Sequence, residues 1–199
     1  MLYRFKNIND FDLESIDKFY NEIYSSKRKR IAKYRKRERY LSAVAGEILL
    51  AELLEDIYKI DYSSLEFEIN MYGKPYLKQQ DIYFNISHSY DMVIVAIADK
   101  EIGVDIEKIR DTFYETVNIF ATEKEQRYIF SEKQDTLKRL FEIYTLKEAY
   151  FKYLGTNLDN LKSVEFKINN GQVFCSDNKV EVRLLNNIEG YVGAIVLKK

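Results

Sequence analysis

The chain has 199 residues, of which 46% are hydrophobic and 32% charged, so it can bury a sizeable core as one large domain or two small halves. Its net charge of −1 excludes a polycation, and no apolar run approaches the roughly eighteen residues of a membrane-spanning helix. The lone Cys175 excludes a disulfide framework and a cysteine zinc site.

Residues 1–10 lack a continuous apolar segment of signal-peptide length, so a reducing cytoplasm is the expected compartment. Phe11, Ile16, Phe19, Tyr20 and Ile23 make a helical stripe over 11–24. A basic tract follows. Nine of the thirteen residues from Lys27 to Arg39 are Lys or Arg. Such a run reads as a solvated face, a nucleic-acid patch or a docking surface for an acidic partner. A long helix is expected over 36–57, with Leu41, Val44, Ala45, Ile48 and Leu49 inward. Gly46 inside it costs about 1 kcal/mol relative to Ala, so close packing is the expected reason for it. Residues 65–69 alternate as a strand, and Tyr72-Gly-Lys-Pro75 is a turn.

Three apolar runs, 82–86, 92–98 and 102–106, then read as a strand meander. Ser87, His88 and Ser89 end the first, where they can face a ligand. In the third, Gly103, Asp105 and Glu107 share one strand face. Two like charges side by side cost free energy, so this pair invites a hard cation. Further helices are expected at 123–131 and 136–154, then strands near 163–168, 172–175, 179–185 and 191–197. On the second long helix Leu140, Tyr144, Glu148 and Lys152 recur every fourth residue. Glu148 is then a candidate third oxygen ligand, with Lys152 one turn beyond. A solvent-exposed Glu–Lys pair is the plain alternative.

The sequence also repeats itself. Ser64–Asn70 matches Ser163–Asn169 at an offset of 99, and an offset of 101 lays Gly46-Glu47 over Lys147-Glu148. The expected fold is α+β, with two pseudo-twofold-related halves, 1–100 and 101–199. Each is a long helix packed on a small antiparallel sheet, with a site between the halves. Carboxylates with room for phosphate oxygens suit Mg²⁺, and Lys27, Arg30 and Lys74 suit a ligand with several phosphates. The reaction class implied is metal-assisted phosphoryl chemistry.

Four segments resemble the 4′-phosphopantetheinyl transferases of the larger, pseudo-dimeric type that activates peptide synthetases. They are Gly73-Lys-Pro75, Phe84-Asn-Ile-Ser-His-Ser89, Ile102-Gly-Val-Asp-Ile-Glu107 and Tyr144-Thr-Leu-Lys-Glu-Ala-Tyr-Phe-Lys152. The resemblance implies transfer of the phosphopantetheine arm of coenzyme A to a serine of an apo acyl or peptidyl carrier protein. Adenosine 3′,5′-bisphosphate is the other product. It implies Asp105, Glu107 and Glu148 as ligands of Mg²⁺, and leaves open whether Mn²⁺ serves as well. Lys27, Arg30 and His88 match positions on the 3′-phosphate, and Lys74 and Ser87 others along the coenzyme. Lys152 matches a lysine at the reacting phosphate, and Glu123 an acid near the site, with Glu125 as second choice. The proton acceptor stays open among Glu148, Lys152, Glu123 and a metal-bound water. Tyr144 stands where the family often has Trp, and Ser42-Ala43 where an Arg-Thr or Arg-Ser pair is common, with Arg39 nearly a turn earlier. A cytoplasmic monomer without nucleic-acid or membrane partners is expected. The rival readings are a nucleic-acid-binding module, from the basic tract and the 17 tyrosines, and a carboxylate-metal phosphohydrolase.

Overall fold

The computed structural model describes residues 1–78, 81–111, 114–157 and 159–199. They form two compact units, Met1–Asp99 and Lys100–Lys199. In the first unit, strand β1 (Leu2–Asn7) is followed by helices α1 (Leu13–Tyr20), α2 (Ser25–Ile31) and α3 (Arg37–Tyr58). Then come the short hairpin β2 (Phe67–Ile69) and β3 (Pro75–Leu77), and strands β4 (Tyr83–Ser89) and β5 (Met92–Ala98). The sheet order is β1-β5-β4, antiparallel throughout. The β-branched run Val93–Val95 and Ile97 favours a central strand with both faces buried. Gly46 lets α3 lie close to that sheet, since a Cβ there would stand 2.7 Å from Ile86 Cγ2 on β4.

The second unit has the same plan. Strand β6 (Ile102–Lys108) is followed by α4 (Val117–Phe120), α5 (Glu123–Ile129) and α6 (Thr136–Leu154). The hairpin β7 (Phe166–Asn169) and β8 (Gln172–Cys175) comes next, then β9 (Val180–Leu185) and β10 (Tyr191–Lys198). The sheet order β6-β10-β9 repeats β1-β5-β4. A 3₁₀ turn precedes each hairpin, at Tyr62–Ser64 and at Leu161–Ser163. That is an offset of 99, as the sequence match requires. α6 ends at Gly155 with φ of 64°, its N–H donating to Phe151 O at 2.9 Å.

One expectation is corrected. The runs at 82–86, 92–98 and 102–106 are not one meander. β4 and β5 form a hairpin, but β6 pairs with β10, near the other end of its own unit. The strand β1, where the sequence reading assigned nothing, fills the place beside β5. No helix among the described residues is long and apolar enough to cross a membrane.

α6 lies against β6 at Gly103. A methyl group there would overlap the backbone oxygen of Ala149 and nitrogen of Tyr153. Neither can yield without moving the helix, so Gly103→Ala is expected to destabilise the protein by about 3 kcal/mol or more, read as a lower urea midpoint. A midpoint shift corresponding to less than about 1 kcal/mol would show that α6 can ride outward at little cost.

Candidate active site

The tight passage at Gly103 fixes which face of β6 meets α6. Strand periodicity then aims Asp105 and Glu107 at the same helix. Asp105 is 2% exposed, and the Lys152 ammonium donates to its Oδ1 at 2.6 Å. The side chain of Glu107 is half-buried, 3.5 Å from Nη1 of Arg110. Glu148 is half-buried and accepts a hydrogen bond from the phenol of Tyr144, one turn earlier on α6. So the stripe Tyr144, Glu148, Lys152 faces the strand carboxylates. Lys152 reaches across to Asp105, and the exposed Glu–Lys alternative does not hold.

The charges are crowded. Burial raises the pKa of Glu148, the negative charge of Asp105 raises it further, and Lys152 and the phenol oppose both. The Tyr144 hydroxyl is pushed far up by burial, then by Glu148, Glu107 and Asp105 together. All three carboxylates therefore act on one phenol. Buried like charges of this kind are relieved by a bound cation, and the donors are all carboxylate oxygens, the chemistry that Mg²⁺ prefers. The residues fit a hard divalent ion. Among the described residues, however, no three His, Cys, Asp or Glu side chains stand together in ligand geometry. The carboxylates are drawn instead to Lys152, Arg110 and Tyr144.

The sequence reading missed Arg110, whose guanidinium also lies 5.7 Å from the Phe141 ring centre. Its position three residues after Glu107 is the one sequence signal for it. Lys147, inside the Lys-Glu-Ala motif, has a different task. Fully buried, it meets Glu125 Oε2 at 2.8 Å and donates to the carbonyls of Leu161 at 2.9 Å and Val164 at 2.6 Å. Glu125 also accepts from the backbone N–H groups of Thr122 at 2.7 Å and Phe166 at 2.8 Å. Glu125 is thus committed to holding α5, α6 and β7 together. Glu123, the first residue of α5, is exposed.

In the first unit the five predicted coenzyme residues stand on three elements. Lys27, on α2, turns inward to the buried Glu47 of α3 at 2.9 Å, and the Tyr62 hydroxyl donates to the same carboxylate at 2.8 Å. Arg30, a turn later, is exposed with its Nε donating to the Tyr34 hydroxyl at 3.1 Å. Lys74 is half-buried at the β2–β3 turn, its N–H donating to Asn70 Oδ1 at 2.9 Å. On β4, His88 is exposed and shares a face with Phe84 and Ile86, whereas Ser87 is buried on the opposite face with Asn85 and Ser89. Arg39 is exposed on the first turn of α3, and Ser42 is buried with its hydroxyl on Glu38 O at 2.8 Å.

Comparing the units explains why only one carries the acids. Arg4 and Lys6 pair with Val95 and Val93 in the first sheet, as Asp105 and Glu107 pair with Ala194 and Val192 in the second. Arg4 holds Glu52 and Asp56 of α3, each at 2.9 Å, and Asp105 holds Lys152 of α6. Glu47 joins α2 and the turn before the hairpin, and Lys147 does the same for α5 and its turn. The helices therefore correspond at an offset of 100, not the 101 of the sequence match. Both ion pairs are inverted in polarity. Arg4, Lys6 and Ile48 stand where Asp105, Glu107 and Glu148 stand.

Two family models cover the chain in succession. Residues 13–100 match the model described as 4′-phosphopantetheinyl transferase, N-terminal, and residues 101–196 that of the 4′-phosphopantetheinyl transferase superfamily. The chain belongs to the 4′-phosphopantetheinyl transferase superfamily. Among relatives of this superfamily, it is 29% identical over 151 residues to the 4′-phosphopantetheinyl transferase gsp of Aneurinibacillus migulanus, over 75% of this chain and 63% of that one. It is 28% identical over 147 residues to the 4′-phosphopantetheinyl transferase Sfp of Bacillus subtilis strain 168, over 73% and 66%. The L-aminoadipate-semialdehyde dehydrogenase-phosphopantetheinyl transferase of Xenopus laevis is 30% identical over 144 residues, over 64% and 48%. The match thus spans slightly less than two thirds of the two bacterial relatives and about half of the third.

Proposed function

We propose that this protein transfers the 4′-phosphopantetheine group of coenzyme A to a serine of an apo acyl or peptidyl carrier protein, with Mg²⁺, releasing adenosine 3′,5′-bisphosphate. The observation that carries the reading is the grouping of Asp105, Glu107 and Glu148 around Tyr144, with the Lys152 ammonium beside them. Asp105, Glu107 and Glu148 would hold the divalent ion, which supplies charge neutralisation on the pyrophosphate oxygens. Lys152, on a rigid helix beside Asp105, is placed to neutralise charge developing at the reacting phosphorus. Tyr144 keeps Glu148 turned toward the strand acids through its hydrogen bond. Glu148, Lys152 and Glu123 are the side-chain candidates for taking the serine proton. The family resemblance assigns Lys27, Arg30, Lys74, Ser87 and His88 to the coenzyme, and an exposed position suits Arg30 and His88 to such contacts. We assign the exposed remainder of the tract from Lys29 to Arg39 to encounter with an acidic carrier surface. The working form we infer is a cytoplasmic monomer.

The test is to incubate the protein with coenzyme A, Mg²⁺ and several apo-carrier domains, and to weigh each carrier. One carrier at least should gain the mass of a single phosphopantetheine. No gain on any of them, with adenosine bisphosphate released regardless, would assign the site to hydrolysis instead.

A further inference from the structure

The three carboxylates each have a partner of their own. Asp105 has the Lys152 ammonium at 2.6 Å, Glu107 has Arg110 at 3.5 Å, and Glu148 has the phenol of Tyr144. A nearly buried Asp105 beside Glu148 needs a positive neighbour, because a buried uncompensated charge is costly. The ion pairs that α6 and β6 make differ in their access to solvent. Lys147 and Glu125 are both 0% exposed and closed off from solvent, a permanent pair. The side chains of Lys152 and Arg110 keep 29% and 28% of their surface exposed, so their charged ends can swing into water without breaking the core.

We propose that Lys152 and Arg110 are exchangeable place-holders, which hold Asp105 and Glu107 in the metal-free site and are displaced when a divalent cation enters. Displacement turns two side-chain cations toward the anionic substrate at the moment the carboxylates are drawn together. The proposal rests on the function inferred above and assigns Arg110 to that site. It also accounts for why, among the described residues, no three carboxylates already stand in ligand geometry. No covalent step is involved.

Exchange makes a prediction about metal affinity that does not depend on transfer. Mn²⁺ binding to the full chain, without coenzyme, is measured by calorimetry. Lys152→Gln keeps a hydrogen-bond donor for Asp105 but removes the competing charge, and should bind about tenfold more tightly, the equivalent of about 1.4 kcal/mol. Arg110→Met should gain about threefold, because its pair is longer and partly exposed. Lys108→Met is the control for a general field effect, since its ammonium lies over the Tyr191 ring at 5.7 Å and it should change less than twofold. Unchanged or weaker affinity in both Lys152→Gln and Arg110→Met overturns the exchange, as does equal tightening in Lys108→Met. If the parent transfers phosphopantetheine normally, such a result sinks the exchange alone. If the parent binds no Mn²⁺ and modifies no carrier, the proposed function falls with it.

Discussion

Glu148→Gln is expected to lower kcat for carrier modification by at least about a hundredfold while leaving the metal-free protein as stable as the parent, or more so. The two effects have opposite signs because they concern different states. With metal and substrate present, a carboxylate at 148 supplies a charged oxygen that an amide cannot. Without them, burial and the charge of Asp105 make the ionised side chain unfavourable, which is why its pKa is raised. For an acid whose folded pKa lies above its unfolded one, the folded state binds more protons, so stability falls as pH rises through that window and stays lowered above it. Gln removes that penalty and still accepts from the Tyr144 hydroxyl. Melting curves at pH 7 in chelator should therefore put the variant level with the parent or above it, and the difference should fade as pH drops below the ordinary carboxylate range. A variant that melts well below the parent at pH 7 would mean that Glu148 is a structural acid, and its loss of activity would then say nothing about chemistry.

Much of this site was legible in sequence because it uses short periodicities. Alternation along 102–107 put Asp105 and Glu107 on one face, and a four-residue period put Tyr144, Glu148 and Lys152 on another. Both hold. Two features were hidden because they depend on contacts distant in sequence. Nothing local distinguishes Lys147 from Lys152, yet one is sealed between α5 and the turn before β7 while the other faces the strand acids. Lys27 was equally ambiguous, and its buried partner Glu47 lies twenty positions away on another helix. The architecture shows the same limit. Residue patterns located α3, α6 and most strands, but pairing is not a local property, so β6 was joined to β5 when its partner is β10. The repeat held the missing information. β1 is the counterpart of β6, and with that correspondence the order β1-β5-β4 carries over to β6-β10-β9.

Lys147→Met should be the most damaging single change to stability, at about 3–5 kcal/mol, because it leaves the Glu125 carboxylate buried without its cation. The carbonyls of Leu161 and Val164 lose a donor in the same step. Burial alone pulls the Lys147 pKa down, and Glu125 opposes that shift, so the ammonium is held charged by the partner that it in turn stabilises. Removing both charges should be less harmful than removing one. In Lys147→Met/Glu125→Gln the buried charge is gone, and the amide oxygen can still accept from Thr122 or Phe166 N–H. Urea denaturation of the parent, both single variants and the double variant closes the cycle, and the double should recover about 1–3 kcal/mol relative to the sum of the singles. The same cycle on the partly exposed pair of Arg4 and Glu52 should couple by less than about 1 kcal/mol. Additive single effects at 125 and 147 would mean that the two side chains hold α5 and α6 independently. The link from α6 through Lys147 to α5 would then have no part in keeping Glu148 opposite Asp105.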